Sequence, residues 1–290
     1  MTLVEVLVAA GITTTVLGAV LSVTVPAHRL FEVQQESTDI QQRLRVSVVT
    51  IADDLRGAGL LLPYRAGDVG DDRGAGVHYR PDAVTALVGP ADAYARGGPP
   101  PLSRTYYLDA PPGTAPQLMR YDGLATSMPV VDNVVRLTFD YVGEAQPPRV
   151  RPSANPAEPE IVSYGPAPPA LGVDEPGDDW GPGENCVFTT LNGRRAPRLA
   201  VVAPGGVVPL PAGLLTDGPW CPDALHPRRF DADLLRVRSI RLRIRVQAPP
   251  AFRGRAGALF VTPGAAIPGL AVPDEELSID VAPRTMNGSW

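Results

Sequence analysis

Glu5 is the one charged side chain in the first 25 residues, MTLVEVLVAAGITTTVLGAVLSVTV. An apolar run of this length matches the ~20 residues a helix needs to cross a bilayer. A carboxylate inside such a run costs about 2.5–3.5 kcal/mol on insertion scales, so its retention points to a function. The chemistry open to it is charge pairing, because a cation brought to it in an apolar medium relieves a penalty on both partners. The other groups with chemical potential are sparser. Three histidines, His28, His78 and His226, stand far apart, none in an H-E-x-x-H pattern, and no G-x-S-x-G elbow occurs. All 26 basic residues are arginine, so no lysine can serve as Schiff base, P-loop cation or general base. No nucleophile–base pair follows from spacing, and neither a catalytic residue nor a cofactor is expected.

Two cysteines, Cys186 and Cys221, lie well beyond the apolar run. In an exported domain an even pair reads as a disulfide; two unrelated buried thiols are the alternative. A bridge would close a loop of about 35 residues, worth about 3–4 kcal/mol by loop-closure entropy. Two acidic, Gly-rich stretches, DVGDDRG (68–74) and DEPGDDWGPGEN (174–185), have the composition calcium takes, but EF-hand spacing fails in both. They read as turns, and no metal site is expected. Arg241, Arg243 and Arg245 share one face of a strand, where arginines could track phosphates. With a net charge of −5, a solvated sheet face is the better reading, and no nucleic acid is expected.

These groups need elements to hold them. After Pro26, Val33, Ile40, Leu44, Val48, Ile51 and Leu55 recur at helical spacing, while Gln34, Glu36, Asp39, Gln42, Arg43, Arg45 and Asp53 lie largely off that stripe. Gly57 and Gly59 supply a stop signal. The apolar and amphipathic runs abut, which predicts one helix from about residue 2 to 57, about 85 Å long and kinked at Pro26. Without a basic flank or a small-x-small site, the start does not read as an ordinary signal peptide. Further on, AVTALV (83–88), RTYYLD (104–109), QLMRYD (117–122), VVRLTFDYV (134–142) and ELSIDVAP (276–283) read as strands. In the fourth, Val135, Leu137, Phe139 and Tyr141 alternate with polar residues, so one face is buried. In LLRVRSIRLRIRVQA (234–248) the apolar parity changes between Val237 and Ile240, which predicts a bulge near Ser239. Residues 143–230 are rich in Pro and Gly, poor in strand and core signals, and contain both cysteines. The 34 prolines and 29 glycines of the whole chain argue for many turns rather than a helix bundle.

A helix with an apolar half, feeding an antiparallel sheet, with a carboxylate at position 5, resembles the type IV pilins. TLVEVLVA is similar to their cleavage and methylation motif, and QQRLRVSVVTIADDLRGAG, LMRYDG, VVDNVVRLTFDYVG and ELSIDVAPRT resemble the PilW family of minor pilins. The resemblance implies an α+β, pilin-like fold, with a long N-terminal helix packed on an antiparallel sheet that carries a Pro/Gly-rich, disulfide-bearing insertion. The expected divisions are 1–25 (membrane and filament-core half of the helix), 26–58 (amphipathic half) and 59–290 (β-rich domain, insertion about 143–230). Taking Met1 as the first mature, N-methylated residue places Glu5 at the family's fifth position, where it would pair with the Met1 amine of a neighbouring subunit and set register. The implied partners are other minor and major pilins, the inner-membrane assembly platform, the prepilin peptidase, membrane lipid along residues 1–25 and a tip adhesin. The implied location is the bacterial inner membrane, single-pass with a periplasmic domain, and then the surface pilus. A J-type pseudopilin of type II secretion and a tip-borne adhesive module are the alternatives.

Overall fold

The structure, a computed structural model, describes residues 2–58, 60–61, 79–80, 83–88, 102–110, 116–122, 126–152, 161–174, 180–215, 217–221, 230–249 and 272–283. One helix, α1 (Leu3–Gly57), spans both N-terminal runs, and Pro26 sits inside it without ending it. Ala58 takes an extended conformation at its end, its N–H donating to the Leu55 carbonyl. The stop is therefore an extended cap after Gly57 rather than a left-handed glycine, and Gly59 lies outside the described residues.

The strands in chain order are β1 (Leu60–Leu61), β2 (Tyr79–Arg80), β3 (Ala83–Val88), β4 (Leu102–Asp109), β5 (Gln117–Tyr121), β6 (Ser127–Asp132), β7 (Val134–Glu144), β8 (Val150–Arg151), β9 (Ile161–Val162), β10 (Phe188–Leu191), β11 (Arg194–Pro197), β12 (Val207–Leu210), β13 (Trp220–Cys221), β14 (Phe230–Asp231), β15 (Val237–Gln247) and β16 (Asp274–Val281). Antiparallel pairing builds one sheet in the order β1-β3-β4-β5-β6, with β2 also on β3, and a second in the order β12-β7-β15-β16. The chain passes from the first sheet to the second at Asn133, whose φ of 60° is one that asparagine tolerates better than most side chains.

The soluble half of α1 makes the two sheets share one core. Ile40, Leu44, Val48, Ile51 and Leu55 are buried in the same cluster as Val84, Tyr106 and Leu118 of the first sheet and Leu137, Phe139, Ile240, Leu242 and Ile244 of the second. The expected stripe is thus the packed one, except that Val33 is only half-buried. A polar contact pins the end of the helix to the first sheet. Buried Asp54 accepts from Arg104 Nη1 and from the Tyr106 hydroxyl at 2.5 Å. Burial and the adjacent carboxylate hold that hydroxyl protonated well above the usual tyrosine range.

The bulge expected near Ser239 is present. Val237 pairs with Gly143 and Ser239 with Val142, leaving Arg238 as the extra residue. Leu234 and Leu235 belong to a 3₁₀ turn (Ala232–Arg236) rather than to the strand. A second irregularity skips Val135, between pairs Arg245–Arg136 and Val246–Val134. That extra residue turns the face over, so Val134 is buried while Val135 is half-buried.

The insertion differs from its expectation. Instead of lacking a core, it has short strand pairs β8–β9, β10–β11 and β13–β14 and a hydrophobic cluster of its own. Tyr164, Val187, Phe188, Leu199, Ala232 and Leu235 gather there around Cys186 and Cys221. Strands of two to four residues carry almost no periodicity, and the cluster's members are spread over some seventy positions.

Candidate assembly interface

The apolar half of α1 stands free of the rest of the molecule. Every residue from 2 to 28 is exposed, Leu3 at 81%. This half contains an 18-residue stretch of mean hydropathy 2.1, long and apolar enough to cross a membrane. Its hydroxyls are satisfied within the helix. Thr13, Thr14, Thr15 and Thr24 donate to the carbonyls of Ala9, Ala10, Gly11 and Val20, and Ser22 donates to Ala19. In an apolar medium such back-bonding removes the cost of burying a hydroxyl.

The remaining strongly polar groups of this half gather in its first turn. Thr2 is the N-cap; its Oγ1 accepts from the Glu5 N–H at 3.4 Å, and the Thr2 N–H donates to Glu5 Oε2 at 2.8 Å. This is a reciprocal capping box, and Thr-x-x-Glu ahead of an apolar run is its sequence signature. Reading Glu5 by charge alone missed it: the carboxylate already has a partner in its own chain. Met1 lies outside the described residues.

On the outer face of the second sheet, the arginines that suggested a polyanion track are each paired. Arg241 donates to Asp280, Arg243 to Asp140, Arg245 to Asp274 and Arg238 to Glu144, while Arg136 lies 3.7 Å from Glu276. Paired guanidiniums have little charge left for phosphates, so this face is a solvated ladder of ion pairs worth little each.

Cys186 and Cys221 form a disulfide, with 5.1 Å between their Cα atoms, buried in the insertion's cluster. Beside it, at the junction with the second sheet, Arg236 is completely buried. It donates to Asp233 Oδ1, to the Ala200 carbonyl and, at 3.4 Å, to the carbonyls of Glu144 and Ala145. Asp231 accepts from the backbone N–H groups of Gly218 and Asp233. Carboxylate oxygens of Asp217, Asp231 and Asp233 lie within 4.8 Å of one another. Burial, chiefly, pushes Asp231 up to about 7 and Asp233 up to about 6.

Of the two acidic stretches, 68–74 lies outside the described residues and 174–185 is described except for 175–179. In the described part, Glu184 accepts from the Thr190 N–H, the Thr189 hydroxyl and Arg198, and Asn185 Oδ1 accepts from the Val187 and Phe188 N–H groups. These oxygens close turns. The Thr190 N–H, first among these contacts, holds the Glu184 carboxyl below its ordinary range. Trp180 stacks on the Arg198 guanidinium at 4.2 Å. His28 is exposed, 3.5 Å from Glu32 on the same helix face; His78 and His226 lie outside the described residues.

No protein-family model and no curated protein matches the chain. Among solved structures, a type IV-like pilin from Thermus thermophilus aligns with 85% of this chain and 97% of its own length, at 12% identity and a TM-score of 0.27.

Proposed function

We propose that this chain is a type IV pilin-like subunit, and within that class a PilW-like minor pilin that primes or tips a pilus. One observation carries the reading: a single continuous helix whose apolar half is bare and whose other half is built into a folded domain. A globular protein has no use for a helix half whose residues 2–25 are all exposed and mainly apolar, since the hydrophobic effect opposes it. A membrane before assembly and a bundle of like helices afterwards both cover that surface. Glu5, bringing a lone carboxylate into that bundle, pairs with a neighbour's terminal amine, and a misregistered neighbour leaves both charges unpaired. The natural partners are then other pilins, the inner-membrane platform and the peptidase that frees and methylates the terminus. The bulk of the insertion would obstruct a repeating shaft, which favours a minor position.

The full-length chain in detergent should co-purify with a small set of pilin-like proteins, and its deletion should lower filament number while leaving the shaft unchanged. Glu5→Ala should still insert in the membrane yet fail to enter assemblies. Labelled protein spread along whole filaments in stoichiometric amounts would make it a major pilin and defeat the minor-pilin reading. A deletion strain that keeps its pili but loses protein secretion would point instead to the type II secretion pseudopilin. The insertion's separate, disulfide-stitched core also favours a second reading, in which the helix delivers a binding module to the tip. Loss of surface adhesion with normal filament number, in the Cys186→Ser/Cys221→Ser variant, is its signature.

A further inference from the structure

The asparagines among the described residues differ sharply in their surroundings. Asn133 is buried and followed by branched Val134. Asn185 is buried too, its side chain held by the Val187 and Phe188 N–H groups and by the Pro166 carbonyl. Asn192 is exposed and followed by Gly193. These two residues connect β10 to β11, inside the pair Leu191–Arg194. Their φ angles of 52° and 74° are the left-handed pair of a type I′ turn, for which Asn-Gly is a preferred sequence. The Gly193 N–H makes no hydrogen bond among the described residues. Apart from chain neighbours, no atom lies within 4 Å of where a Cβ on Gly193 would stand. The Asn192 side-chain amide is therefore one residue from a backbone nitrogen that is neither bonded nor shielded.

We propose that Asn192 is a site of spontaneous modification, converting to aspartate and isoaspartate in the folded protein. The Gly193 nitrogen attacks Asn192 Cγ; the N–Cγ bond forms, the Cγ–Nδ2 bond breaks, and ammonia leaves with the amide proton. Water then opens the cyclic imide at either carbonyl. Water is consumed and ammonia released, with no oxidant, reductant or enzyme. Opening at Cγ gives aspartate, and Asp-Gly suits the same turn. Opening at the main-chain carbonyl routes the chain through Cγ and gives isoaspartate. The added backbone carbon has no room in a two-residue connection at the Leu191–Arg194 register. Arg195, the next residue of β11, donates to the Pro168 and Pro169 carbonyls, so a slip of register reaches that contact. Either product also puts a carboxylate beside exposed Arg194.

The test incubates the full-length protein in detergent, disulfide intact, in mildly alkaline buffer. Peptides are then mapped by mass spectrometry and by enzymatic methylation of isoaspartate. The peptide holding Asn192 should gain the mass of an ammonia-for-water exchange and accept methyl groups. Asn133 and Asn185 should convert roughly tenfold more slowly or less, because the chain there must open first. Asn192→Gly keeps a sequence suited to the turn and should abolish both signals. Conversion of Asn192 in urea but not in the folded protein would show that the turn protects it, and would overturn the proposal. No conversion in either state, or a methylation signal at this peptide that survives in Asn192→Gly, overturns it as well. Amide exchange in β10 and β11 should quicken in the isoaspartyl fraction and stay unchanged in Asn192→Asp. Equal exchange in the two would overturn the effect on register.

Discussion

Among the described residues Arg236 is the largest fully buried side chain, and its removal is an informative single change in the folded domain. Arg236→Met would leave Asp233 as a buried carboxylate without its cation, and such one-sided breaks cost about 3–5 kcal/mol. The pair replaced together, Arg236→Met with Asp233→Leu, should cost clearly less than the sum of the two single changes in urea titrations; simple additivity would show that the ion pair is not the cause. The neighbouring acids give a pH dependence whose sign is fixed. Asp231 and Asp233 bind protons more tightly when folded, at about 7 and about 6, than unfolded at ~3.9. Their contribution is therefore fully present below about pH 4 and is lost as pH rises through 6 and 7. The charge of exposed Asp217 adds to both upward shifts. Asp217→Asn should thus narrow the difference in thermal midpoint between pH 5 and pH 8, mostly by raising the value at pH 8. An unchanged difference would mean that these acids do not sense Asp217.

At the scale of elements, α1 has two kinds of exposed apolar residue and one buried stripe, and they should respond differently to the same change. Ile51 is fully buried against the sheets while Val46 and Val49 are exposed on the other side. Ile51→Ala should cost about 2–5 kcal/mol of folding stability, whereas Val46→Ala and Val49→Ala should stay within ~0.5 kcal/mol; calorimetry of the three variants makes the comparison. Equal losses would mean that the helix packs on another face. The stripe was legible because a soluble helix buries residues at a 3.6 period, and Ala83–Val88 and the Arg238 bulge were legible because strand faces alternate. Other features gave weaker signals. β6 holds Pro129, which argues against a strand unless the strand lies at an edge, where this one is. Asp54 on the helix is a charged residue in a buried place, with partners some fifty positions on in Arg104 and Tyr106. Arg236 in a 3₁₀ turn takes its carboxylate from Asp233 three residues before it, but its carbonyl partners from Glu144, Ala145 and Ala200, far along the chain. At the candidate site the position of Glu5 could be read from the sequence, and so could its Thr2 cap, from the Thr-x-x-Glu spacing.

Among the described residues there are two hydrophobic clusters of unequal size, from which a redox-dependent unfolding is expected. The larger cluster is closed by α1 and both sheets. The smaller, inside the insertion, has few members and leans on the Cys186–Cys221 bridge, whose loop of 35 residues corresponds to about 3–4 kcal/mol of stabilisation by loop-closure entropy. Small cores of this kind rarely hold without such a staple. Two probes can tell the clusters apart. Of the three tryptophans in the chain, Trp180 and Trp220 belong to the insertion, whereas far-ultraviolet ellipticity at the helix minimum comes mainly from α1. With the disulfide intact, the arginine junction and the shared turn at Ala232–Arg236 should make fluorescence and ellipticity transitions of the full-length protein in detergent nearly coincide. In the Cys186→Ser/Cys221→Ser variant, or after reduction, the fluorescence transition should move to lower urea ahead of the ellipticity transition, which should hardly shift. Coincident transitions in the reduced protein would show that the two clusters unfold as one, and that the insertion is a part of the core rather than a module carried on it.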